Sequence, residues 1–443
     1  MSLFKKIGSL LKNKVWQKLM ENFLSLSVLQ GLVFITELII LPYLTRVLGA
    51  DIYGIISFAN SFILFLQVIT EYGFNHSGTR AVSKFRDDTE KIQKIYSAIN
   101  LVRIILSVVC FVALFTFVNI FERFRENAVI FLLLFGLIIQ SVLSPTWFFR
   151  GIEKMKYLTI IHIIGKIILI ILIFSFINSE SDYILYAFFV FSNAILIGIC
   201  TQIFIVKKYK MQFHTSSLVD IKYQFSSGFH MFLVYFSTNI INYLNPFILG
   251  LLVDYYFVGV FSAGYKVIQI FVLVISLITT TVFPHIVKMI TESNNGNESK
   301  IFDFIKKILL LIIVIGVLAF VFLFFFAENV VSLLFGVEYI GSINVIRILS
   351  IAPLLIGIGH TLTLQILVPL EFDSLVAKIY GSAAIFDIIL CFIFIPIYGY
   401  LALCIIILLT RIIPIILSLL WMIKKELWLE NRTCLLMVDI VSD

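Results

Sequence analysis

The chain has 443 residues, of which 61% are hydrophobic and 13% charged, with a formal net charge of +7; its mean hydropathy is +1.08. A soluble domain carries roughly half apolar and a quarter charged residues, so this composition excludes an ordinary soluble protein. The positive balance does not argue for nucleic acid, because Lys and Arg cluster in short connections between apolar runs, where membrane topology alone would put them.

Only helices and closed barrels satisfy every backbone polar group inside lipid. Barrel strands alternate apolar and polar residues, whereas here the apolar runs are continuous, as in "FLLLFGLIIQSVL" and "IIILLTRIIPIILSLL". The pattern predicts an all-α integral membrane protein.

Residues 1–20 hold no apolar core followed by a small-residue cleavage site. Phe4, Ile7, Leu11, Val15 and Leu19 recur at helical spacing among five lysines, which predicts an amphipathic helix at the membrane surface. A span needs about twenty mostly apolar residues. Such stretches fall near 21–42, 53–73, 95–120, 128–148, 157–177, 183–206, 227–252, 257–284, 308–327, 344–369, 375–396 and 399–423. The polar connection 207–226 divides them into an N-lobe, 21–206, and a C-lobe, 227–423, with a tail at 424–443. The lobes echo each other weakly. Pro42 followed by Gly54-x-x-Ser57 recurs as Pro246 followed by Gly259-x-x-Ser262. Six spans per lobe makes the repeats parallel.

Lys and Arg set the orientation. With the N-terminus inside, the inner segments hold 24 of them and the outer connections three, Arg46, Arg123 and Arg125, so both termini are expected in the cytoplasm. Trp147 and Trp421 sit at span ends, where interfacial anchors sit. The five cysteines follow no metal or redox spacing. The outer connections are all short, which leaves no room for the large loop that membrane glycosyltransferases and polymerases use. No nucleophile triad, metal cluster or phosphate-cradling glycine loop is present, so the chain is expected not to be an enzyme and to carry no cofactor.

Six cations remain inside spans: Arg103, Lys166, Lys266, Arg347, Lys378 and Arg411; Glu37 and Asp387 are the acids at comparable depth. Each unpaired charge at mid-span costs roughly 2.5–3.5 kcal/mol. Arg347 and Lys378 lie near span ends, where they either snorkel to the headgroups or join the other cations in lining a cavity that binds cargo. Arg103, Lys166, Lys266 and Arg411 are deeper, and the excess of positive charge there predicts a wet passage for an anionic cargo. Glu37 and Asp387 are the candidates for coupling a proton or sodium gradient. His162, His230 and His360 are intramembrane histidines that titrate near neutral pH when unperturbed.

"LPYLTRVLGADIYGIISFANSF" (41–62), "EYGFNHSGTRAVSK" (71–84), "PTWFFRGIEKMKYLTI" (145–160) and "VGVFSAGYKV" (258–267) resemble the polysaccharide-exporter family of flippases. That family comprises the Wzx O-antigen and capsule-unit translocases and belongs to the superfamily of the MATE drug exporters and the lipid II flippase. The resemblance runs from about residue 15 to 425. It implies a MATE-like fold of about twelve transmembrane helices in two lobes, in the bacterial cell inner membrane. It implies a cargo of oligosaccharide linked through pyrophosphate to undecaprenol, moved by alternating access, with a polysaccharide polymerase and a chain-length regulator as partners beside membrane lipid. Arg46, Arg80 and Arg150 fall within the matching motifs, as contacts to cargo or to lipid headgroups. The alternatives are a small-molecule exporter of the MATE type and, on weaker grounds, a membrane glycosyltransferase or polymerase.

Overall fold

The structure is a computed structural model that describes residues 14–86, 88–211, 218–291, 298–370 and 372–424. The described residues form helices and turns and no strand. Residues 1–13 of the expected surface helix, 212–217 of the expected connection, and the tail from 425 lie outside them. The chain divides into two compact units, Met1–Asn239 and Ile240–Asp443.

In the first unit, α1 (Lys14–Glu71) carries the first two predicted spans without a loop between them. The reversal is a single residue, Gly49, at φ 70° and ψ 174°. A Cβ disfavours that region, so glycine supplies the bend. At the other end of the second span Tyr72 (φ 45°) and Gly73 (φ 69°) turn the chain into α2 (Phe74–Lys84). The left-handed Tyr72 is held by its ring, tilted 30° against Phe225 at 4.3 Å and stacked on Phe232 at 4.7 Å. Asp88 caps α3 (Thr89–Ile120), accepting from the Lys91 backbone N–H at 3.1 Å and pairing with its ammonium at 3.0 Å. The backbone bond first, and the ammonium after it, hold this carboxyl below the ordinary range.

A short turn helix, α4 (Glu122–Glu126), leads into the fourth predicted span, which forms as α5 (Ala128–Leu134) and α6 (Gly136–Leu143). Pro145 then opens α7 (Thr146–Gly151), where its missing N–H costs nothing because first-turn donors lack intrahelical partners. After a turn through Glu153 (φ 55°) come α8 (Met155–Phe176) and α9 (Tyr183–Tyr209). Trp147 departs from the interfacial anchor expected of it. It is 1% exposed and packs with Phe148, Phe149, Tyr96 and Val82 in a core at this end of the unit. Aromatic area of that size stabilises more when it is fully covered than when it lies at a surface.

The next helix, α10 (Leu218–Leu252), crosses the boundary between the units. The second unit continues with α11 (Tyr255–Thr291), α12 (Glu298–Leu334), α13 (Gly341–Leu349), α14 (Ala352–Leu362) and α15 (Asp373–Lys424). The tenth predicted span is interrupted between α13 and α14, where Pro353 occupies the first turn of α14, and ends in a π-turn at Thr363–Leu367. The last two spans are joined within α15 through Gly399, at φ 62° and ψ −147°, the same glycine device as at Gly49.

Among the described residues nine helical stretches are long and apolar enough to cross a membrane, and two of them, Thr36–Lys84 and Ser374–Lys424, run to 49 and 51 residues. At about 1.5 Å per residue each of those two is long enough for two crossings. The set is consistent with twelve. Val108, Val112 and Phe115 on α3 and Leu310, Leu318 and Phe325 on α12 stand exposed. A soluble monomer does not present apolar surface on this scale. The chain is a multi-pass membrane protein.

Small residues let these helices approach closely. A Cβ on Gly316 of α12 would sit 2.9 Å from the Leu354 backbone Cα of α14, whereas one on Gly359 would meet nothing nearer than 3.7 Å. Gly316→Ala should therefore lower the unfolding temperature of the detergent-purified protein, at a cost of about 1–3 kcal/mol. Gly359→Ala should leave it unchanged or raise it, because alanine favours helix by up to about 1 kcal/mol.

Candidate functional site

At one end of the first unit an open cleft of about 520 Å³ is lined by Asn75, His76, Thr79, Arg80, Ser83, Lys84 and Arg150. Local structure explains the set. Asn75, Thr79 and Ser83 recur every fourth residue on α2, with His76, Arg80 and Lys84 one step further round, so one face of the helix carries the wall. Arg150 comes from α7, where Trp147, Phe148 and Phe149 are at most 1% exposed. Those three rings anchor the short helix and leave Arg150 at the cleft. Arg86, by contrast, is committed to structure: it donates to the Gly151 carbonyl at 3.2 Å and pairs with Glu153 at 2.8 Å. Among the described residues no carboxylate bridges Arg80, Lys84 or Arg150, and the buried Nε of Arg150 has no hydrogen-bond partner.

Behind this wall lies a polar cluster around Glu71, an acid that the sequence analysis did not single out. Glu71 Oε1 accepts from Gln67 Nε2 at 3.0 Å; Oε2 accepts from Asn75 Nδ2 at 3.1 Å and from the Tyr235 hydroxyl at 2.6 Å. Thr146 in turn donates to Asn75 Oδ1 at 2.8 Å. Arg103, 3% exposed, donates from Nη2 to Ser141 Oγ at 3.4 Å, while its Nε and Nη1 have no partner. Arg103 and Arg150 both lie within electrostatic reach of Glu71 and Tyr235. Gln67 and Asn75, spaced four residues either side of Glu71, are the signal in the sequence that could have found it.

The second unit has its own buried polar centre. Asp387, 1% exposed, accepts from Asn245 Nδ2 at 3.3 Å and from the Cys391 thiol at 3.8 Å. Arg411, 8% exposed, donates to Asn242 Oδ1 at 2.6 Å and lies within electrostatic reach of Asp387 and His360. Asn242 and Asn245 both come from the second half of α10.

The remaining expected site residues fall elsewhere. Lys166 and Lys266 are half-buried in α8 and α11, and Lys166 acts electrostatically on His162. Glu37 is half-buried within reach of Tyr53 and Tyr186. Arg46 and Lys378 are exposed, and Arg347 is exposed 3.8 Å from Glu328. Thus the structure brings Arg80 and Arg150 into one cleft, with Arg103 sharing the Glu71 cluster, and Asp387 with Arg411 into another group.

Removing one member of a buried charged group leaves the other uncompensated, at a cost of about 3–5 kcal/mol. Arg411→Met alone should therefore destabilise the protein strongly. Combining it with Asp387→Asn should recover part of the loss, giving a coupling of about 0.5–3 kcal/mol in a double-mutant cycle on thermal unfolding. Strict additivity would show that the two do not interact.

Comparison with known proteins agrees with this architecture. Residues 19–290 match the family model described as "Polysaccharide biosynthesis protein". A protein of Escherichia coli (strain K12) named "Putative O-antigen transporter" is 28% identical over 377 residues, covering 84% of this chain and 89% of that protein. The fold is similar to an inward-facing multidrug resistance MATE family transporter of the MOP superfamily, with a TM-score of 0.72 at 14% identity over 92% of this chain and 99% of that one. It is equally similar to the lipid II flippase MurJ in an inward closed conformation, with a TM-score of 0.72 at 13% identity over 96% of this chain and 93% of that one. With more than half of its length matched, this multi-pass helical chain belongs to the polysaccharide biosynthesis protein family.

Proposed function

We propose that the protein is a flippase that moves undecaprenyl-pyrophosphate-linked oligosaccharide repeat units from the cytoplasmic to the outer leaflet of the bacterial inner membrane, for O-antigen, capsule or exopolysaccharide assembly. The observation that carries this reading is the set of unbridged cations in the first unit: Arg80, Lys84 and Arg150 at an open cleft, with the partly unsatisfied Arg103 nearby. A diphosphate ester is the membrane-borne group that such a set fits, because guanidinium forks bind phosphate oxygens two at a time and ammonium adds point charge. The names of the relatives support the same cargo class: one is called an O-antigen transporter, and a protein of like fold is called a lipid II flippase.

In this reading the connections holding Arg80, Lys84 and Arg150 face the cytoplasm, with both termini, as the distribution of Lys and Arg requires. The cleft gathers the diphosphate while the prenyl chain stays in lipid. Arg103, Lys166, Lys266 and Arg411 line the path by which alternating access carries the glycan outward. Arg46, Arg347 and Lys378, all exposed, meet lipid headgroups. Asp387 and Glu37 couple the cycle to a proton or sodium gradient. A polymerase and a chain-length regulator receive the product.

The decisive experiment is complementation of a deletion strain, scored by surface glycan and checked for membrane expression. Arg80→Ala and Arg150→Ala should each lower display about 10–100-fold, the worth of a charged hydrogen bond of about 1.5–3 kcal/mol; Arg150→Lys should retain part of it. Full display by both alanine variants would refute the assignment. A second test separates coupling from binding: Glu37→Gln should abolish the gradient dependence of transport in proteoliposomes while leaving cargo binding intact, and unchanged coupling would end that part of the reading. Drug resistance conferred by the intact chain, with glycan display unaffected by deletion, would instead favour an exporter of small molecules, whose fold matches equally well.

A further inference from the structure

Glu71 poses a physical puzzle. An acid within electrostatic reach of two partly unsatisfied arginines ordinarily closes on one of them as a short charge-assisted pair. Here it does not. Among the described residues neither Arg103 nor Arg150 bridges it, and the carboxylate is met by three neutral donors, Gln67, Asn75 and Tyr235. A carboxylate offers about four lone-pair sites, so these donors occupy most of its accepting capacity. They also fix its direction, because they approach from three places: the preceding turn of α1, the start of α2, and α10.

We infer that Glu71 is a positioning residue whose negative charge balances the buried Arg103 and the cleft-lining Arg150 from a distance, while its neutral donors keep it from capping them, so that the Arg150 fork at the cleft stays available to the phosphate oxygens of the cargo. The inference rests on the phosphate reading of the cleft and adds to it the reason the cleft remains available. Without the acid, buried guanidinium groups would go uncompensated. With the acid free to turn, one of them would be bridged internally and lost to cargo. The Tyr235 hydroxyl, at 2.6 Å the shortest of the three bonds, is the group that withholds Oε2.

The test uses the full-length protein purified in detergent and titrated with inorganic pyrophosphate by calorimetry. Tyr235→Phe releases Oε2 towards a guanidinium and should weaken pyrophosphate binding about tenfold, equivalent to about 1.4 kcal/mol. Adding Glu71→Gln to Tyr235→Phe removes the competing charge and should return affinity to the wild-type value or better. A merely structural strut predicts the reverse, with the double variant weaker than the single. Gln67→Met strips the donor from Oε1 by an independent route, should weaken binding in the same way, and serves in place of Tyr235→Phe if that variant fails to fold. Wild-type affinity in Tyr235→Phe and Gln67→Met, or no recovery in the double variant, overturns the proposal. Arg150→Ala distinguishes the two levels. If it binds pyrophosphate as the wild type does, the phosphate reading itself fails; if it loses binding while the Tyr235 and Gln67 variants do not, only the role of Glu71 fails.

Discussion

Hydrocarbon offers no hydrogen bonds, and that constraint governs every polar group in this protein. Each unit answers it in the same way. One acid, the half-buried Glu71 in the first and the buried Asp387 in the second, takes bonds from neutral amides, hydroxyls or a thiol, with arginine in electrostatic reach but not bridged to it. Desolvating such groups is expensive, and mutual attraction repays it only when the remaining lone pairs and protons are met. The amides of Gln67, Asn75 and Asn245 meet part of that need. Nε and Nη1 of Arg103 are left without a partner.

The same constraint shapes the backbone. Among the described residues irregular chain falls at positions that can bear it, such as the glycines Gly49 and Gly399, a ring-clamped Tyr72, and Pro353 in the first turn of a short helix. Two crossings can then be joined with hardly any loop. Close helix approach through Gly316 and similar sites contributes packing that the hydrophobic effect cannot supply between surfaces already in lipid. A fold shared with transporters at 13–14% identity is what such generic devices produce, since they need small residues and apolar runs more than particular side chains.

This explains what could be read from the sequence. Length and apolarity of the runs marked a multi-pass helical membrane protein, because a span is set by bilayer thickness, and the motifs carrying Arg80 and Arg150 led to two residues of one cleft. What stayed hidden were lateral relations. Position along a span gives depth, but not which neighbour a side chain meets. Glu71 was not singled out, and nothing local points to its partner Tyr235, which lies on α10, far along the chain. Trp147 looked like an interfacial anchor for the same reason: nothing local says that Tyr96 and Phe148 cover it. The loopless joins at Gly49 and Gly399 were invisible too, since a single residue in a left-handed conformation leaves no polar stretch to notice.

The short helix α7 carries its own lesson about how such families preserve themselves. In four consecutive positions it combines three rings sealed in the interior with one half-buried guanidinium at the cleft. Selection on the glycan coat therefore acts on both through one motif, yet the underlying defects differ in kind. Damage to the rings removes buried packing and so depletes the membrane of protein, whereas a change at Arg150, under the proposed function, leaves a full complement of idle molecules. Variants collected at this motif from natural strains would divide into these two classes by abundance alone, before any transport was assayed.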